Sequence, residues 1–208
     1  LVLIKKEVNW EGFMDALTRQ LMQQLSEDEL SQISRQIGAD EQTTGSALSA
    51  AMPLLVSALA NNASNPDGAE ALHQALAQDH DGSIFNDMSG FLGNPQAANG
   101  SGILGHILGG QQPVVTQGLA QGSGLNSDQV GQLLQIAAPL LMGALGQQQQ
   151  QQGFDTDGLS AFLGGQQQLA QESNPDMMSM LNSLLDMDRD GSALDDILGI
   201  AGKLFGRR

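Results

Sequence analysis

The residues whose types and spacing best suit chemistry lie near the C-terminus, in the run Asp186, Met187, Asp188, Arg189, Asp190, Gly191, Ser192. Calcium takes six to eight hard oxygen ligands. Carboxylates at loop positions 1, 3 and 5 wrap one ion where a glycine at position 6 allows the sharp turn. Asp186, Asp188 and Asp190 hold those positions, Gly191 the sixth, and Ser192 would offer its carbonyl at the seventh. A bidentate glutamate normally closes such a loop at position 12. That position is Ile197 here, which leaves Asp195 and Asp196 as substitutes. The expected metal ligands are Asp186, Asp188, Asp190, Ser192, Asp195 and Asp196, and the expected ion is Ca2+.

A similar run earlier in the chain acts as a control. Asp79, Asp81, Gly82, Ser83 and Asp87 repeat the pattern, but Ala77 stands at the first position, so a full cage cannot form. Features shared by both runs are those a turn needs for shape. Glycine takes positive φ, the serine is expected to cap the next helix, and carboxylates favour a helix N-terminus. Only Asp186 is specific to a cation. Asp155, Thr156, Asp157 and Gly158 read as another Asp-Gly cap. His80, between two aspartates, is expected to favour its charged form. His106, inside the apolar ILGHIL run, reads as a partly buried structural histidine, and His73 has no paired-histidine spacing. Nucleophile-elbow, phosphate-loop and dinucleotide motifs are absent.

These turns need elements to hold them. Aromatic residues make up 3% of the chain against 40% hydrophobic, so a core must be built from Leu, Ala, Met and Ile. That composition fits helix packing, and the fold class expected is all-α. Leu17, Leu21 and Leu25 share one helical face. Ser26 and Glu29 form a capping box for a helix stopped by Gly38, and Asp40 opens a longer helix that Pro53 should kink.

The same plan recurs. Gly38 pairs with Gly124, Pro53 with Pro139, Asn65 and Pro66 with Asn174 and Pro175, and Asp81 with Asp190. The chain therefore reads as two imperfect internal repeats sharing one core: a first half over 14–110 and a second over 111–208. The second carries a Gln-rich insert near 146–172, whose glutamine tracts read as a flexible loop. A glycine-rich joint around Ile103 to Leu108 separates the halves. Residues 1–13 read as a non-native or disordered arm, because Lys5, Lys6, Glu7 and Val8 can be encoded by a purine-rich ribosome-binding sequence just ahead of Met14.

A net charge of −15 repels phosphate backbones and anionic lipid, so neither nucleic acid nor membrane is an expected partner. The sequence shows no apolar run of signal-peptide length and is expected to hold no transmembrane stretch. The absence of cysteine removes disulfides and thiol catalysis and fits a cytoplasmic protein. Two apolar stripes could meet a protein partner: Met177, Met178, Leu181, Leu184 and Leu185, and the C-terminal Ile197, Leu198, Leu204 and Phe205.

The segments DHDGSIFNDM, GSGILGHILGG, AAPLLMGALG and DMDRDGSALDDILGIAGKLFG together resemble the YidB-like bacterial family, catalogued as bacterial domain of unknown function 937. The resemblance spans nearly all of residues 14–208. It implies a multihelical fold in a bacterial protein and supplies no activity or site residues. The functional expectation is a non-enzymatic interaction or scaffold protein with Ca2+ binding at the C-terminal loop and a protein partner of unknown identity. The alternatives are a purely structural protein whose Asp-Gly turns are caps, and an unrecognised enzyme, which would need a deep polar pocket.

Overall fold

The computed structural model describes residue 21 and residues 23–173. Among them all regular structure is helical. The helices are α1 (Glu27–Ile37), α2 (Glu41–Ala63), α3 (Pro66–Gln78), α4 (Met88–Gly93), α5 (Gly100–Leu108), α6 (Gln112–Ser123), α7 (Ser127–Gln152) and α8 (Thr156–Ser173). Short 3-10 turns precede α4, α5 and α6.

The starts and stops follow local chemistry. At α1 the Ser26 hydroxyl accepts from the Glu29 N–H (3.3 Å) and the Glu29 carboxylate accepts from the Ser26 N–H (2.7 Å), a reciprocal capping box. Gly38, at φ +70°, ends the helix in the left-handed conformation. Asp40 caps α2 by accepting from the Thr43 N–H at 2.8 Å. Helix α7 opens the same way, with Asn126 and Gln129 forming its box two residues after Gly124, at φ +80°. Asn65 stands at the N-cap of α3 with Pro66 at its first position. The sequence counterparts Asn174 and Pro175 lie outside the described residues. Ser26→Ala removes one of the two α1 bonds and should cost about 1 kcal/mol. In a chain of this size that is about 2–4 °C in Tm, read by thermal unfolding.

Helices α2 and α7 form the centre. Both carry an interior proline, Pro53 and Pro139, and both prolines are buried. Leu48, Met52 and Leu55 from α2 and Leu133, Leu134 and Leu140 from α7 are almost wholly hidden. Buried side chains from Leu21 to Leu163 belong to one aliphatic cluster. Although no membrane-spanning stretch is expected from the sequence, α2 and α7 are long and apolar enough to cross a membrane by length and hydropathy alone. In this fold 72% and 78% of their most apolar windows are buried.

Two expectations are corrected. The segment expected to be a glycine-rich joint is helix α5, and Ile103, Leu104, Ile107 and Leu108 join the common core. The glutamine tract at 147–152 is not a loop but the last turns of α7, ending at Gly153 with φ +65°. Glutamine is a good helix former, and three of these side chains fasten the helix to its neighbours. Gln147 accepts from Gln24 Nε2 (3.2 Å), Gln149 Nε2 donates to the His73 carbonyl (3.4 Å), and Gln150 Nε2 donates to the Asp81 carbonyl (3.1 Å). The rest of the insert forms α8, which packs on α2 and buries Leu159 and Leu163.

Candidate functional site

The acidic turn at 79–87 joins α3 to the 3-10 turn Ser83–Asp87 and then to α4. Gly82 adopts φ +89°, a conformation that needs glycine. The Asp81 carboxylate accepts from the Ser83 N–H at 2.9 Å, and the Asp87 carboxylate accepts from the Gly90 N–H at 2.9 Å. Ser83 is expected to cap the next helix, but it donates to Asp81 within the turn, and the cap of α4 is the Asp87 carboxylate. Hydrogen bonds from the Ser83 hydroxyl and then its N–H hold the Asp81 carboxyl below the ordinary carboxylate range. Thr43 does the same to Asp40, side chain first and then backbone.

The turn sits hard against α7. A Cβ on Gly146 would lie 1.7 Å from the His80 carbonyl oxygen, and one on Gly143 would lie 2.5 Å from Ile84 Cγ2. Small residues at these two positions are what allow loop and helix to touch.

His80 differs from its expected behaviour. Burial is the larger influence and pushes its pKa down, while the nearby Asp79 charge opposes this only in part. The imidazole is therefore held towards its neutral form, the reverse of the charged form expected from two flanking aspartates. His106 is exposed rather than partly buried. His73 Nε2 meets the Phe154 carbonyl at 3.1 Å, which ties α3 to the start of α8.

Linkage sets the sign of the pH response. Above pH about 6.5 His80 is neutral whether folded or unfolded. As pH falls below that value the unfolded chain takes the proton first, so stability declines towards the depressed folded pKa. Asp40 and Asp81 add stability above their ordinary value of 3.8, lost as pH falls through their lower folded values. Thermal melts should show Tm falling from pH 7 to pH 5 and again below pH 4. His80→Gln should remove the first fall and leave the second.

Two polar clefts flank this region. One of about 700 Å³ beside the turn is lined by Asp79, His80, Asp87, Asn94 and Asn99, among others. The second, of about 690 Å³, lies where α1, α5 and α7 meet. Its side-chain amides are Gln36, Asn94, Gln96, Asn99, Gln132 and Gln135, and among the described residues no charged one lines it. Gln36 donates to the Leu92 carbonyl at its edge. Sequence reasoning missed this cleft, because its residues come from separate helices with no shared spacing.

The expected calcium ligands Asp186, Asp188, Asp190, Ser192, Asp195 and Asp196 lie outside the described residues, as do both apolar stripes beyond residue 173. Among the described residues no three His, Asp or Glu side chains converge as a metal site requires. Asp155 accepts from the Gly158 N–H at 2.8 Å, so that Asp-Gly pair is a helix cap as expected.

The class these features define is an all-α bundle around two proline-bearing central helices, with a carboxylate-capped turn seated on one of them. The chain matches the family described as bacterial protein of unknown function (DUF937) over residues 19–148. It belongs to that bacterial family, known as YidB-like. No curated protein matches it. No solved structure does either.

Proposed function

We propose that the chain is a non-enzymatic helical interaction protein that takes an extended segment of a partner protein, with Ca2+ bound at its C-terminal loop. The observation that carries the interaction reading is the uncharged cleft lined by six carboxamides. A carboxamide offers one donor group and one acceptor, which matches a peptide main chain. Among the described residues the cleft has no aromatic platform on which a sugar ring would stack. The Asp40, Asp81, Asp87 and Asp155 carboxylates are engaged with backbone N–H groups, which supports a structural rather than a catalytic use. An acidic, cysteine-free composition supports a cytoplasmic setting. The test is capture of partners by the full chain in calcium and in EDTA, with Gln132→Ala and Gln135→Ala as cleft variants. The reading fails if the variants capture the same proteins with the same yield.

The calcium part rests on the spacing of Asp186, Asp188 and Asp190 alone. An ion that binds only the folded chain at a hundred times its Kd adds about 2.7 kcal/mol of stability. That is about 5–10 °C in Tm for a chain of this size. The expected result is a Tm higher in calcium than in EDTA, with the difference lost in Asp186→Ala. An unchanged Tm at millimolar calcium would refute it.

A second reading, a purely structural protein whose acidic turns are caps, is favoured by the bonds that Asp81 and Asp87 make within their own turn. Under it, Asp190→Ala lowers Tm equally in calcium and in EDTA.

A further inference from the structure

A cavity of about 510 Å³ opens between the end of α2, one side of α3, α5 and α7. Its floor is aliphatic: Leu59, Leu72, Ile103, Ile107 and Met142, all buried. Its polar groups are Asn62, Asn65, His80 and His106. Asn62 Nδ2 donates to the carbonyls of His106 and Ile107, each at 3.0 Å, and so fixes α5 against α2. Asn65 and His106 stand exposed at the rim, and the Asn65 side chain makes no capping bond.

The chain has 23 acidic and 8 basic residues, yet among the described residues no Asp, Glu, Lys or Arg lines this cavity. A charged group entering it would lose its water without meeting a counter-charge, whereas an apolar body gains by leaving water. The volume falls within the range of small-molecule sites, and an apolar wall with a few polar groups is their usual character. We propose that this cavity binds an uncharged aliphatic small molecule with one hydrogen-bonding head, of the class of a medium-chain primary alcohol or primary amide. The chain of the ligand lies on Ile103, Ile107 and Met142, and its head meets His106 and Asn65 at the rim. The neutral state that burial favours for His80 is consistent with an uncharged occupant. This site is separate from the carboxamide cleft and stands or falls independently of the partner proposed there.

The experiment is a titration of the full-length chain followed by methyl NMR of its methionines and isoleucines. The probes are 1-hexanol, 1-octanol, octanamide, octanoate and octylamine. Expected are saturable shifts at Met142, Ile103 and Ile107, with affinity rising about fourfold for each added methylene. Octanoate and octylamine should bind about tenfold more weakly or worse. Ala71→Trp, at an exposed lining position, should block the site without changing Tm. His106→Leu, also exposed, should weaken octanamide about tenfold while keeping the dependence on chain length. Absence of saturable shifts with either alcohol, equal binding of octanoate and octanol, or shifts that persist in a folded Ala71→Trp protein would each overturn the proposal.

Discussion

Gly146→Ala is expected to lower the stability of the folded chain by about 3 kcal/mol, the upper end of ordinary overpacking. The added Cβ would meet the His80 carbonyl oxygen at 1.7 Å, its carbon at 2.8 Å and Asp81 Cα at 3.2 Å. These are backbone atoms, so no side-chain rotation relieves the clash, and the turn must lift from α7. Lifting it also strains the Gln150 bond to the Asp81 carbonyl and the packing of Ile84 beside Gly143. In a chain of this size the loss corresponds to about 6–12 °C in Tm. Gly118→Ala is the control. That glycine is also helical, in α6, and a Cβ there meets nothing within 4 Å. It should raise stability by about 0.5–1 kcal/mol through the lower entropy of the unfolded chain. If both substitutions moved Tm the same way, the close seat of turn on helix would be wrong.

The contrast shows which parts of the fold can be read from sequence and which cannot. Caps are local: Ser26 with Glu29, Asp40, Gly38 and the Asp155 turn are legible because acceptor, donor and glycine lie within a few residues. The all-α class follows from composition for a similar reason, since few residues can make strands. Close approaches are not local. Nothing near Gly146 in sequence announces His80 as its neighbour, and the segment AAPLLMGALG reads only as an apolar helix with two glycines. The paired segment of α2 has Ser57 where α7 has Gly143, and Ser57 is buried with no hydrogen-bond partner for its hydroxyl among the described residues. Glycine at 143 therefore reflects what presses on α7 and not a general need of a central helix.

His80 fails for the opposite reason. Its charged neighbours are visible in sequence, but its burial is not, and burial is the stronger influence. The glutamine tract misleads through composition. A run of one polar residue looks like a loop until Gln147, Gln149 and Gln150 are seen to reach three different partners. The carboxamide cleft is assembled from α1, the α4–α5 connection and α7, so no window of the sequence contains it.

Helix α5 offers the sharpest test of how the chain is joined, because the two descriptions of this segment demand opposite results. A glycine-rich joint tolerates substitution, since few tertiary contacts depend on it. A core helix does not. Leu104 is wholly buried, and Leu104→Ala should cost about 2–5 kcal/mol, depending on how far its surroundings collapse into the space. One position on, Gly105 is exposed and a Cβ there meets nothing within 4 Å, so Gly105→Ala should stabilise by about 0.5–1 kcal/mol. At the start of the same helix, a Cβ on Gly100 would come within 1.9 Å of the Gln135 carbonyl oxygen, and Gly100→Ala should destabilise by about 1–3 kcal/mol. Urea unfolding of the three variants reads all three effects in one series. Destabilisation at 100 and 104 with a gain at 105 is the signature of a helix laid along α7 with one face inward. Three neutral substitutions would return the segment to a joint on which no tertiary packing depends.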